Sequence, residues 1–101
     1  MAIHMTARFS VKPESLEICK RAIEDFIAYI KANEPDTRIY TSLQSSDKPA
    51  DFLHYFIFED EAAEQKHRNS EGVKRFTGIL YPELSSNGVE FTKYDLLVSS
   101  R

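Results

Sequence analysis

The run Phe52-Leu53-His54-Tyr55-Phe56-Ile57-Phe58 carries large apolar side chains on both of its faces. In a strand, alternate residues point to opposite sides, so Phe52, Phe56 and Phe58 share one face and Leu53, Tyr55 and Ile57 the other. A single layer of helices covers only one face of a sheet built on such a strand. The other face needs its own cover, and a second copy of the chain is the simplest one. A homodimer packed sheet against sheet is therefore predicted.

The neighbouring segments supply the rest of the sheet. Ile3, Met5, Ala7, Phe9 and Val11 alternate with His4, Thr6, Arg8 and Ser10, which predicts a first strand. Pro13 suits the first position of a helix, and Leu16, Cys19, Ile23, Phe26, Ile27 and Ile30 recur at threes and fours, so a helix is expected over 13–33. Pro35 stops it, and 37–45 reads as strand two. A polar turn over 46–51 leads into strand three at 52–59, a connection short enough for an antiparallel hairpin. Asp60 can cap a second helix, and Ser70 a short continuation through Val73, Phe76, Ile79 and Leu80. A loop over 85–88 precedes a last strand over 89–98. The order β-α-β-β-α-β predicts an α+β, ferredoxin-like domain, a four-stranded antiparallel sheet with two helices on one face.

A chain of 101 residues is one domain's length, so 1–101 is expected to form a single unit. Apolar residues at 42% and charged residues at 29% are the proportions of a chain that folds. The net charge of -3 leaves no basic footprint, so a nucleic-acid partner is not expected. Cys19 is the sole cysteine, which excludes an internal disulfide and a cysteine zinc site and suits an intracellular protein. With no basic, apolar leader and no run of eighteen apolar residues, no export signal or membrane span is expected, and the location predicted is cytoplasmic. Gly72, Gly78 and Gly88 are spread too widely for a dinucleotide, phosphate or nucleophile-elbow motif. No cofactor and no metal is expected.

Four stretches then carry a resemblance: FSVKPES after the first strand, NEPDTRIY between helix and strand two, FIFEDEAAEQKH across strand three and the second helix, and FTKYDLL in the last strand. Together they resemble the antibiotic biosynthesis monooxygenase family of dimeric α/β-barrel proteins, over nearly the whole chain. The family pattern is a Pro-Glu helix start, a Glu-Pro-Gly-Thr turn followed by Tyr, an aromatic-Glu pair closing strand three and a His on the next helix. Pro13, Glu14, Glu34, Pro35, Thr37, Tyr40, Phe58, Glu59 and His67 occupy those places. Asp36 stands where Gly is usual, which is tolerable if Asp36 adopts positive φ, and Phe58 stands where Trp is common. The haem-degrading branch of the superfamily uses an Asn on strand one, a Trp on helix two and a later His. Here those places hold Ala7, His67 and the region of Phe76 and Thr77, with no His from 72 to 82, so haem degradation is disfavoured.

The resemblance implies oxidation of a quinol or polycyclic phenol without metal or flavin. Such chemistry needs a base titrating near neutrality, an apolar pocket and a few donors for the developing oxyanion. Histidine meets the first requirement, and His67, near the apolar side of helix two, is the candidate catalytic base. A histidine at a helix end is equally well explained by a bond to a nearby carbonyl, Glu64 or Glu71. His54, on the face of Phe56 and Phe58, and Tyr40 are candidate substrate contacts; a buried histidine satisfied by a cross-strand partner is the competing account of His54. Phe58 and Phe76 are candidates for stacking a flat substrate, although phenylalanines at such spacing are commonly plain core. Either face of strand two can point into the cleft, Arg38 with Tyr40 or Ile39 with Thr41. Arg8 suits an acidic partner across the dimer or an anionic substrate. The run Glu59, Asp60, Glu61 sits at a helix start, where the dipole favours negative charge without any metal. Two other functions use the same parts, a non-redox isomerase or lyase acting on an enolisable carbonyl, and a small-ligand-binding dimer without turnover.

Overall fold

The structure is a computed structural model that describes residues 1–85 and 88–101. Four strands, β1 (Ile3–Ser10), β2 (Thr37–Gln44), β3 (Asp51–Phe58) and β4 (Glu90–Tyr94), form one antiparallel sheet in the order β2-β3-β1-β4. Helices α1 (Leu16–Asn33), α2 (Glu61–Arg68) and α3 (Glu71–Leu80) supply the cover for one face. This is the ferredoxin-like arrangement that the alternation and the 3.6-residue period predict.

The local reasons are those of the sequence. On α1 the residues Cys19, Ala22, Ile23, Phe26 and Ile30 form the buried stripe. Its first turn, Pro13–Ser15, is a tighter 3-10 turn rather than α-helix, as Pro at a helix start permits. Asp60 caps α2 by accepting from Ala63 N at 2.9 Å, and Ser70 caps α3 by accepting from Val73 N at 3.1 Å. The expected second helix is thus two helices separated at Asn69 and Ser70. Gly72 sits where α3 crosses α1 so closely that a Cβ there would overlap the Tyr29 ring.

Two strand boundaries and one turn conformation differ from expectation. Val11 leaves the sheet for an isolated bridge with Leu84. The last strand ends at Tyr94, and Leu96, Leu97 and Val98 lie exposed beyond it, since no neighbouring strand among the described residues reaches them to supply backbone partners. Asp36 does not adopt positive φ; among the described residues Gly88 alone does, so the turn after α1 accommodates Asp in an ordinary conformation. Ser86 and Asn87 of the expected loop lie outside the described residues.

Register assigns the faces. Met5, Ala7, Phe9, Phe52, His54, Phe56 and Phe58 are buried toward the helices. His4, Thr6, Arg8, Leu53, Tyr55 and Ile57 face the other way, joined there by Ile39, Thr41, Leu43 and Tyr94 of the flanking strands. A register shift between Thr37 and Ile39 takes Arg38 out of the alternation, so Tyr40 points to the helices while Arg38 pairs with Glu59 at 2.6 Å.

Candidate functional site

The helical face of the sheet packs as two buried clusters, one around Phe9, Phe26 and Phe76 and one around Met5, Phe56 and Phe58; Tyr40 and Val89 touch both. At their junction lies a cavity of about 460 Å³. Its wall includes Tyr40, His54, Phe58, His67 and Phe76, the five residues singled out from the sequence, together with Phe26, Phe56, Glu64, Arg68 and Phe91. Arg8 points to the opposite face of the sheet. Tyr55 is there too, its hydroxyl 3.1 Å from His4 Nδ1.

His67 comes from the last turn of α2 and meets the rings of Phe26, Tyr40, Phe56 and Phe58 at centroid distances of 5.1 to 6.2 Å. Its Nδ1 lies 2.8 Å from Glu34 Oε1. The partner is therefore neither Glu64 nor Glu71. Glu34 is buried, and the same Oε1 accepts a second bond from Thr37 Oγ1 at 2.8 Å. Glu34 Oε2 is enclosed without a hydrogen-bond partner.

His54, on the middle of β3, is 1% exposed, and its Nδ1 lies 2.9 Å from the Tyr40 hydroxyl on the adjacent strand. Burial pushes its pKa down to about 4, so the ring is neutral at physiological pH. Burial first, and then the nearby Glu34 charge, push the Tyr40 phenol up, so Tyr40 keeps its proton. A protonated phenol satisfies its O–H by donating to Nδ1, which places the His54 proton on Nε2, an atom enclosed without a partner. Phe76 stacks on Phe26 at 4.4 Å and holds α3 against α1 beside the cavity.

Two further carboxylates belong to this region, and the sequence reading left both out of the site. Glu64, buried on α2, receives Arg68 Nη2 at 2.6 Å and Lys93 Nζ at 3.4 Å. Glu34 is the other, and one signal pointed to it: it ends α1, where the dipole disfavours a negative charge. A carboxylate in that place needs a tertiary partner. Cys19 is packed in the core, its thiol pushed up by burial and by Glu83. No group of three metal-ligating side chains occurs among the described residues.

The fold and cavity define a ferredoxin-like α+β protein with an aromatic-walled pocket between sheet and helices. The model of the antibiotic biosynthesis monooxygenase family matches residues 2–78, and the chain belongs to that family. No curated protein matches it. Among solved structures, a Bacteroides thetaiotaomicron protein provisionally assigned to the same monooxygenases superposes with TM-score 0.90 at 18% identity, covering 99% of this chain and 93% of its own. Rv0793 from Mycobacterium tuberculosis gives 0.88 at 18% identity over 100% of both chains. SnoaB from Streptomyces nogalater, a cofactor-independent oxygenase, gives 0.82 at 15% identity over 98% of this chain and 96% of its own. At these identities the likeness is one of fold.

Proposed function

We propose that this protein is a cofactor-independent monooxygenase that oxidises a quinol or polycyclic phenol in the cavity between sheet and helices, with His67 as the base. The observation that carries the reading is the imidazole of His67 on the wall of a cavity of about 460 Å³ lined mainly by aromatic rings. That volume falls within the 300–1,000 Å³ or so usual for small-molecule sites, and its walls suit a flat aromatic. His67 takes the phenolic proton. The electron-rich anion passes one electron to dioxygen, and recombination of the radical pair forms a carbon–oxygen bond. Loss of water from the resulting peroxide leaves a carbonyl, so one oxygen atom ends in product and the other in water. Tyr40 and His54 are the polar contacts, and Phe58 and Phe76 the stacking wall.

The working unit in this reading is a cytoplasmic homodimer. Its support is the unpaired outer face of the sheet, where Ile39, Leu43 and Tyr94 are exposed, and the exposed Leu96, Leu97 and Val98 beside them.

Oxygen uptake by purified, metal-free protein against a panel of quinols and polycyclic phenols tests the chemistry. Uptake above autoxidation is expected, falling about a hundredfold in His67→Ala, the scale of losing a general base. Uptake unchanged by that substitution removes His67 as the base. No uptake across the panel overturns the oxygenase reading in favour of a non-redox enzyme or a ligand-binding dimer.

A further inference from the structure

We infer that Glu34 is the positioning residue of His67: with Thr37 it holds the imidazole proton on Nδ1 and leaves Nε2 as the nitrogen available to a ligand in the cavity. The inference deepens the reading above and rests on it only for its catalytic consequence.

The bonding at Glu34 Oε1 fixes the tautomer. That one oxygen accepts from Thr37 Oγ1 at 2.8 Å and lies 2.8 Å from His67 Nδ1. A carboxylate has no proton to give, so Nδ1 must donate. If the carboxyl carried a proton on Oε2, Oε1 would still act as acceptor, and the conclusion would stand. The neutral ring therefore bears its proton on Nδ1, with the lone pair on Nε2.

The carboxylate is held more firmly than a surface glutamate. Its backbone N–H donates to Ile30 O at 2.8 Å, closing α1, and its carbonyl accepts from Thr37 N at 3.1 Å. Pro35 follows and disfavours helical backbone at Glu34, which ends the helix at φ -126°, ψ 74°. The side chain of Glu34 is 3% exposed and that of His67 is 12% exposed, so water competes little for the bond. Four aromatic rings around the imidazole limit its rotation. Glu34 is itself in an unfavourable place, a negative charge at a helix C-terminus, and buried carboxylates are retained where they are bonded. The two donors at Oε1 account for its being there.

The two histidines of the cavity, His54 buried and His67 partly buried, are thus opposite tautomers. His54, bonded at Nδ1 by the Tyr40 hydroxyl, carries its proton on Nε2; His67 carries it on Nδ1. Both rings are neutral in these forms, but only His67 keeps the lone pair on Nε2; the Nε2 of His54 carries a proton and is enclosed.

Ring-nitrogen NMR of 15N-labelled protein without ligand decides this, at a pH where the imidazoles are neutral and with signals assigned by His67→Ala and His54→Gln. His67 is expected to show a protonated Nδ1 and an unprotonated Nε2, with His54 the reverse. Glu34→Gln, which keeps an oxygen at Oε1, should retain the His67 tautomer; Glu34→Leu should release it to a mixture. Where the enzyme turns over, Glu34→Leu should lower kcat by roughly a hundredfold with KM within about twofold, because it disturbs the base and not the stacking wall. A parent spectrum with the His67 proton on Nε2 overturns the assignment, whether or not the leucine variant folds. So does an unchanged tautomer in folded Glu34→Leu. Absence of oxygen uptake would overturn the oxygenase reading and leave the tautomer result standing.

Discussion

His54 shows how one buried side chain makes stability depend on pH. Its folded-state pKa of about 4 lies below the value of about 6.5 that an unfolded chain gives it. Between those values the unfolded chain binds a proton that the folded one refuses. The stabilisation is complete above about pH 6.5 and declines as pH falls toward 4. At 1.36 kcal/mol per pH unit, the loss from pH 7 to pH 5 is about 2 kcal/mol. Urea unfolding at the two pH values checks it: His54→Gln should lose less stability on acidification than the parent by about that amount. An equal loss in both would mean that the ring titrates normally. Tyr40 enters the same account, because its hydroxyl is the partner that burial would otherwise leave unmet.

At the scale of elements, the site depends on how α1 and α3 approach each other. Gly72 allows the crossing at Tyr29, and the crossing brings Phe76 onto Phe26 at the edge of the cavity. Gly72→Ala should gain helix propensity yet lose about 1–3 kcal/mol through overpacking, read as a lower midpoint in thermal or urea unfolding. A more stable Gly72→Ala would show that the helices can separate freely. Caps, amphipathic stripes and the period-2 strands were legible in the chain because they are local: Asp60, Ser70 and the buried stripe of α1 act within a few residues. The faces of β2 were not legible, because the irregularity at Arg38 comes from pairing with β3. Nor was the length of β4, which ends where β1, its one neighbour among the described residues, stops pairing with it. The partner of His67 lies 33 residues away in sequence, beyond any local rule. Of the five residues that meet at the cavity, His54, Phe58 and Phe76 follow from strand and helix phase, which periodicity reports well, whereas Tyr40 and His67 stood on the family pattern; the buried carboxylates beside them were missed because their burial is tertiary.

The whole molecule presents two unlike sides. One is closed by helices, and the other leaves Ile39, Leu43 and Tyr94 open on a sheet whose central strand is apolar on both faces. Light scattering should give a mass near twice the 11.7 kDa of one chain, and replacing Ile39 and Leu43 together by Lys should shift it toward the monomer. A parent that runs as a monomer would sink the dimer. No helix among the described residues is long and apolar enough to cross a membrane. The interruption at Asn69 and Ser70 has a consequence of phase. His67 and Phe76 stand nine positions apart, and at about 100° per residue an unbroken helix would aim them in nearly opposite directions. Because the chain restarts at Ser70, the two rings share one chamber, and any sequence that fused α2 and α3 into a single rod would turn one of them out of it.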